Sequence, residues 1–459
     1  MNPADTLARL WQFDDLPVQA LPYAVLTGSD PVFPSSFAVG TAAQASIAAA
    51  ALAACELGHL RGQSRQQVTV DMAPAALECT GWFSLDGKVP PLWDKFSGLY
   101  ACADGWVRIH TNFVHHRDGA LRLMGLAPDT ATRADAEQAM QVWRVAEFEQ
   151  AAADAGLVVA ALRSFDDWDA HPQGQAVAAL PLMTFERIGD APPVALPPLG
   201  AGDRPLTGLR VLDLTRILAG PVCGRALAAY GADVMLLNAP HLPNIESIAD
   251  TSRGKLSAHV DLRTVAGKAT LTRLVSQSHV VVQGYRPGAL ASLGFGPQEV
   301  ARQKPGIVYV SLSDYGHTGP WQARRGFDSL VQTAMGFNDA EATAAGSATP
   351  KPLPMQILDY ATGHLMAFAA SAALHRQAIG GGSWHVRLSL AQTGQWLRGL
   401  GRVRDGFGVK PPDRRPLLES SPSGFGALVG LRHSAQLSST PCLWVRPSMP
   451  PGTSPSAWP

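Results

Sequence analysis

The chain predicts an α/β protein: a doubly wound parallel sheet with a smaller α+β domain ahead of it. Apolar runs of strand length alternate with helical segments from residue 208 onward. A proline-rich break, APPVALPPLGAGDRPLTG at 191–208, separates that region from the first 200 residues. The length, 459 residues, exceeds the roughly 250 to 300 that one core organises.

In chain order, TAAQASIAAAALAACELGHLRG (41–62) reads as a helix and QQVTVDMA (66–73) as the strand after it. Ala42 to Cys55 comes nearest to a membrane segment, but it is short, alanine-rich and interrupted by Gln44 and Ser46, so a buried helix is expected. GLYACADGWVRIHTNF (98–113) predicts a hairpin turning at Asp104-Gly105. Residues 145–174 predict a helix, a short apolar strand and a second helix start, in which Asp166, Asp167 and Asp169 form a solvated first turn. Past the break, GLRVLDLT, AGPVCGRALAAYG and ADVMLLNAP make a strand, helix and strand. HVVVQGY (279–285) and GIVYVSLSDYG (306–316) add strands, and the sheet is Rossmann-like.

The segment after Asp359 again reads helix, glycines, then the strand WHVRLSLA. Aligning Val68 with Val386 gives an offset of 318, which sets Thr41 opposite Asp359 in an internal repeat. The expected domains are 1–200, 206–402 and an irregular tail over 403–459.

Basic and acidic residues balance at 37 each and 16% of residues are charged, so neither nucleic acid nor an anionic membrane is an expected partner. The five cysteines are scattered and lack a CxxC pair, which disfavours disulfides and zinc and fits a reducing cytoplasm. The first residues carry no basic start followed by an apolar run. His115 and His116, expected in a strand with side chains pointing apart, are set aside as a metal pair.

PLTGLRVLDLTRILAGPVCGRALAAYGADV resembles the opening of the family III coenzyme A transferases (CaiB/BaiF type). RGKLSAHVDLR, QGYRPGALASLGF, SLSDYGHTGPW and GFDSLVQTAMGF follow in the family's order. DGWVRIHTN and AGLVVAALRSFDDWDAHPQG resemble its small domain, which here precedes the nucleotide-binding half, as in a permuted chain.

The resemblance implies that Asp359 is the nucleophile, carrying the acyl group between coenzyme A and a free carboxylic acid. A helix start at Asp359 is expected to favour its anion. Arg216, Ile217, Leu218 and Ala219 are implied to meet coenzyme A, with Tyr285, Arg286 and Pro287 along the next crossover. Lys255 is a further phosphate candidate, and Tyr315 and Gly316 are expected at the thiol end. Coenzyme A and acyl-CoA enter as substrates, with no tightly bound cofactor and no metal. A homodimer is implied, and interlocking of its chains is a further trait of the family. Gly284 and Asp314 depart from the family's asparagine and glycine, and 80–115 has no glycine run to form a lid. The alternatives are an α-methylacyl-CoA racemase, disfavoured because Phe327 replaces its histidine although His317 and His364 are near in sequence, and a non-catalytic coenzyme A binder.

Overall fold

The computed structural model describes residues 2–14 and 16–459. Its largest sheet has seven strands: β1 (Met183–Gly189), β2 (Arg210–Leu214), β3 (Asp233–Asn238), β4 (Lys255–His259), β5 (Val280–Gln283), β6 (Val308–Ser313) and β7 (Ser383–Ser389). They lie in the order β4-β3-β2-β5-β6-β7-β1. All neighbours are parallel except β7 and β1. The strands β2, β5 and β6 are buried along almost their whole length, as expected of parallel strands inside an α/β sheet. The strand order reverses between β2 and β5, and in an open parallel sheet the crevice at that point is where ligands bind.

Four helices matter for the site: α1 (Val39–Leu60), α2 (Ala219–Ala229), α3 (Asp328–Met335) and α4 (Ile357–Gly380). α1 and α4 pack together inside the main core, and both are alanine-rich, so their backbones approach closely. Among the described residues α1 alone has the length and apolarity to cross a membrane, and its apolar stretch is wholly buried in protein, as expected for a core helix.

The repeat has a clear structural counterpart. α1 begins at Val39 and α4 at Ile357, 318 residues apart, and the residues before them, Ala38 and Gln356, share φ/ψ of −78/58° and −79/60°. The strands after them end at Asp71 and Ser389, again 318 apart, and each of those side chains caps the next helix. The first copy has its own small sheet, where Val68–Asp71 pairs parallel with Ala24–Thr27. The second copy's strand is β7.

The hairpin of Gly98–Cys102 and Gly105–Ile109 forms as expected, joined by Val159–Ala161 into a separate antiparallel sheet. The first 200 residues are nevertheless not self-contained. Their strand β1 completes the edge of the large sheet, and α1 lies in the main core. The tail beyond residue 402 packs onto both parts: Leu418–Ser421 and Leu428–Leu431 extend Phe83–Leu85 into a sheet, and Trp444 lies over Arg253.

Candidate active site

The turn leaving β2 is the most constrained stretch of the crevice. Ile217 has φ +75°, a left-handed conformation that a β-branched residue adopts only when its surroundings impose it, and such strain gathers at functional positions. The turn feeds straight into α2, where Gly220 is obligatory because a Cβ there would lie 2.4 Å from Thr215. Its geometry brings Arg216, Ile217, Leu218 and Ala219 to the wall of a cleft of about 360 Å³. Tyr285 and Arg286, just past β5, line the same cleft, as do Asp314, Arg325, Phe327 and Asp359.

Asp359 is the third residue of α4 and 8% exposed. Its main-chain N–H donates to Asp328 Oδ2 at 2.9 Å, and its own carboxylate accepts the main-chain N–H of Ala219 at the start of α2. The first copy repeats this clamp. The N–H groups of Gly40 and Thr41 donate to Asp30 at 3.0 and 2.8 Å, while the Thr41 hydroxyl closes on the same carboxylate at 2.7 Å. Thr41, opposite Asp359, is therefore tied down within its own cap.

Burial drives the Asp359 carboxyl well above its ordinary range, and the charges of Asp328 and Asp314 push the same way; the Ala219 N–H opposes them. The expected net preference of a helix start for the anion is overturned, because desolvation next to two carboxylates exceeds the helix-end field. Asp328 is likewise raised by its complete burial. Asp314 is pushed up to about 7, also by burial, although it accepts the Gly326 N–H at 2.8 Å.

Four expected coenzyme A contacts lie elsewhere. Lys255 is 0% exposed along its side chain, pairs with Asp213 at 2.8 Å and donates to the Pro221 carbonyl at 2.7 Å. It braces α2 from beneath the sheet end and does not face the cleft. Pro287 lines a different cavity, together with His317, His385 and Arg387. Tyr315 is buried against Trp321. Gly316 sits over Gln173, whose amide donates to the Tyr315 carbonyl at 2.8 Å.

Several site residues escaped the sequence reading. His115 and His116 begin a helix, Val114–Leu123, and both line the cleft with ring centroids 4.1 Å apart. The expectation that they point apart in a strand is corrected. Arg325 lines the cleft and lies 3.4 Å from His116 Nε2. The pair Arg324-Arg325 just before Gly326-Phe327-Asp328 was the available signal for a cation here. His110 stacks on Phe327 at 3.9 Å and lines a second cavity, of about 210 Å³, that also reaches Asp359. His317 and His364 are not among the residues lining either cavity; the first contacts the Leu388 carbonyl and the second is buried near His433.

Comparison with known proteins bears on this arrangement. The family profile described as CoA-transferase family III matches residues 206–401. An acyl-CoA transferase of Gibberella moniliformis is 29% identical, the match covering 73% of this chain and 66% of that one. A probable fatty acyl-CoA transferase of Mycobacterium tuberculosis, Rv3272, is 36% identical over 39% of this chain and 48% of its own. A crystal structure of Rv3272 in its orthorhombic form is 33% identical, covers 43% of this chain and 57% of that one, and has a TM-score of 0.40. The chain thus spans less than two thirds of the length of these relatives. The matched span takes in six of the seven strands of the large sheet, its crevice and α4, and over that span the chain is similar to CoA-transferase family III.

Proposed function

We propose that the chain transfers coenzyme A from an acyl-CoA to a free carboxylic acid through covalent intermediates on Asp359. The observation that carries this reading is the position of Asp359, where the long crevice cleft and the second cavity meet. Ile217, Leu218 and Phe327 are the other residues common to both walls. A thioester arriving along the crevice then has its acyl part beyond the aspartate.

In this reading the Asp359 carboxylate attacks the thioester carbonyl, the thiolate of coenzyme A leaves, and an acyl-aspartyl anhydride forms. The thiolate attacks the aspartyl carbonyl, releasing the donor acid and leaving an aspartyl thioester. The acceptor carboxylate displaces the thiolate, which then attacks the acceptor's acyl carbonyl and regenerates Asp359. Main-chain N–H groups at the start of α2 supply donors beside the reacting carbonyl. Arg216, Arg286 and Arg325 give the cleft the positive wall that the phosphates of coenzyme A require. Leu92, Trp93 and His110 from the first 200 residues wall the second cavity, taking the place of a glycine-rich lid. A cytoplasmic homodimer completes the proposal, on the ground of the family resemblance and of five unpaired cysteines.

The test is incubation with acyl-CoA thioesters and intact-mass detection of an acyl or coenzyme A adduct that Asp359→Ala does not form. Equal transfer by wild type and variant rejects the mechanism. A second reading, proton transfer at the α-carbon of an acyl-CoA, draws on His110, whose Nδ1 is buried without a partner in the cavity that reaches Asp359. Burial chiefly lowers this imidazole to about 3, so it is a neutral base. Deuterium uptake at the α-carbon in heavy water, lost in His110→Ala, would favour that reading.

A further inference from the structure

We infer, resting on the transferase reading, that the second cavity at Asp359 accepts an uncharged monocarboxylic acyl group and discriminates against diacids. Its apolar lining comes from Leu92, Trp93, Ile245, Pro354 and Met355 together with the residues shared with the crevice. No lysine or arginine is among the described residues that line it.

Two of the polar side chains on its wall are committed elsewhere. Asn112 Nδ2 donates to the Leu92 carbonyl at 2.7 Å, and its Oδ1 accepts from the Asp94 N–H at 3.0 Å and the Ser97 hydroxyl at 2.9 Å. The Thr80 hydroxyl donates to the Leu77 carbonyl at 2.7 Å. His110 is flat against Phe327 and edge-on to Trp93, with centroids 3.9 and 5.7 Å away. A cation does lie behind this wall. Arg108 stacks over Trp93 at 5.4 Å and is drawn to Asp328, so its charge offsets an existing carboxylate.

A diacid would place its distal carboxylate in this space. There it would lie beside the Asp359 carboxyl group without a cation on the lining. An ion held there has no cationic compensation for the hydration it gives up. A neutral alkyl or aryl chain loses nothing by entering, and gains contact with Trp93, Leu92 and Met355.

The experiment uses the full chain with acetate as acceptor and compares butyryl-CoA with succinyl-CoA, which share the coenzyme A half, alongside Asp359→Ala. The expected kcat/KM for butyryl-CoA exceeds that for succinyl-CoA by about 30-fold or more. Thr80→Lys, which adds a cation to the wall, is expected to narrow that ratio by about tenfold. Asp359-dependent transfer that is equal for the two donors, or better for succinyl-CoA, overturns the inference and leaves the transferase reading standing. No transfer and no adduct with any thioester removes the transferase reading, and the inference with it.

Discussion

At the scale of single residues the site is a cluster of carboxylates. Asp359, Asp328 and Asp314 are each raised by burial, and the first is raised further by the other two. Asp359→Asn keeps the shape and removes the proposed nucleophile, so transfer should fall by about 10,000-fold or more, measured as steady-state acyl-CoA formation. Asp314→Asn removes one like charge from beside Asp359. The acid limb of its kcat/KM profile should move to lower pH, since Asp359 then ionises more easily. Stability has its own sign. An acid whose folded pKa is raised binds more protons folded than unfolded, so its contribution is present below the ordinary value of 3.8 and is lost as pH rises through about 7. Urea midpoints should therefore fall less between those pH values in Asp314→Asn than in wild type. Asp359 could be singled out because the order of the motifs leads to it. The cluster was not legible, because Asp314, Asp328 and Asp359 are brought together by the ends of a strand and two helices.

At the scale of elements, two alanine-rich helices and the turn between β2 and α2 decide the geometry. Gly363 of α4 faces that turn, and a Cβ there would lie 2.5 Å from the Ala219 carbonyl and 2.7 Å from Val222. Gly363→Ala should cost about 1 to 3 kcal/mol, read by chemical denaturation, and should lower kcat because Ala219 also supplies the N–H on Asp359. In the other copy, Asp30→Ala removes the cap of α1 and should cost about 0.5 to 2 kcal/mol without changing the catalytic constants. Periodicity revealed both helices and their 318-residue offset, since an alanine run closed by glycines is a local pattern. The shortened loop of the first copy, which lets Asp30 do for Thr41 what Asp328 does for Asp359, is a tertiary equivalence that no aligned residue pair displays.

At the scale of the whole molecule, a buried ionic network ties the first 200 residues, the sheet and the tail into one body. Glu78 accepts from the Ser434 N–H and hydroxyl, both at 2.8 Å, lies 2.9 Å from His433 Nδ1 and pairs with Arg225 at 3.5 Å. Arg225 in turn meets Asp250, and Asp250 meets Arg253 at 2.5 Å. Removing one member leaves buried charges uncompensated, so Glu78→Ala should cost about 3 to 5 kcal/mol and be detectable as a lowered thermal midpoint. This linkage explains why the proline-rich stretch at 191–208 does not separate two independent units: β1 and α1 cross it to join the large sheet and its core.

What the sequence determined by itself was the pattern that is local along the chain: strand and helix alternation, the hairpin, the repeat, and a motif order that points to Asp359. Only the tertiary structure decided which of the expected contacts reach the crevice, sending Lys255 into an ion pair with Asp213 and bringing His110, His116 and Arg325 to the walls. The physical reason is that a side chain's chemistry depends on burial and on partners distant in sequence. A lysine at the start of a strand reads the same whether it faces a phosphate or a buried aspartate.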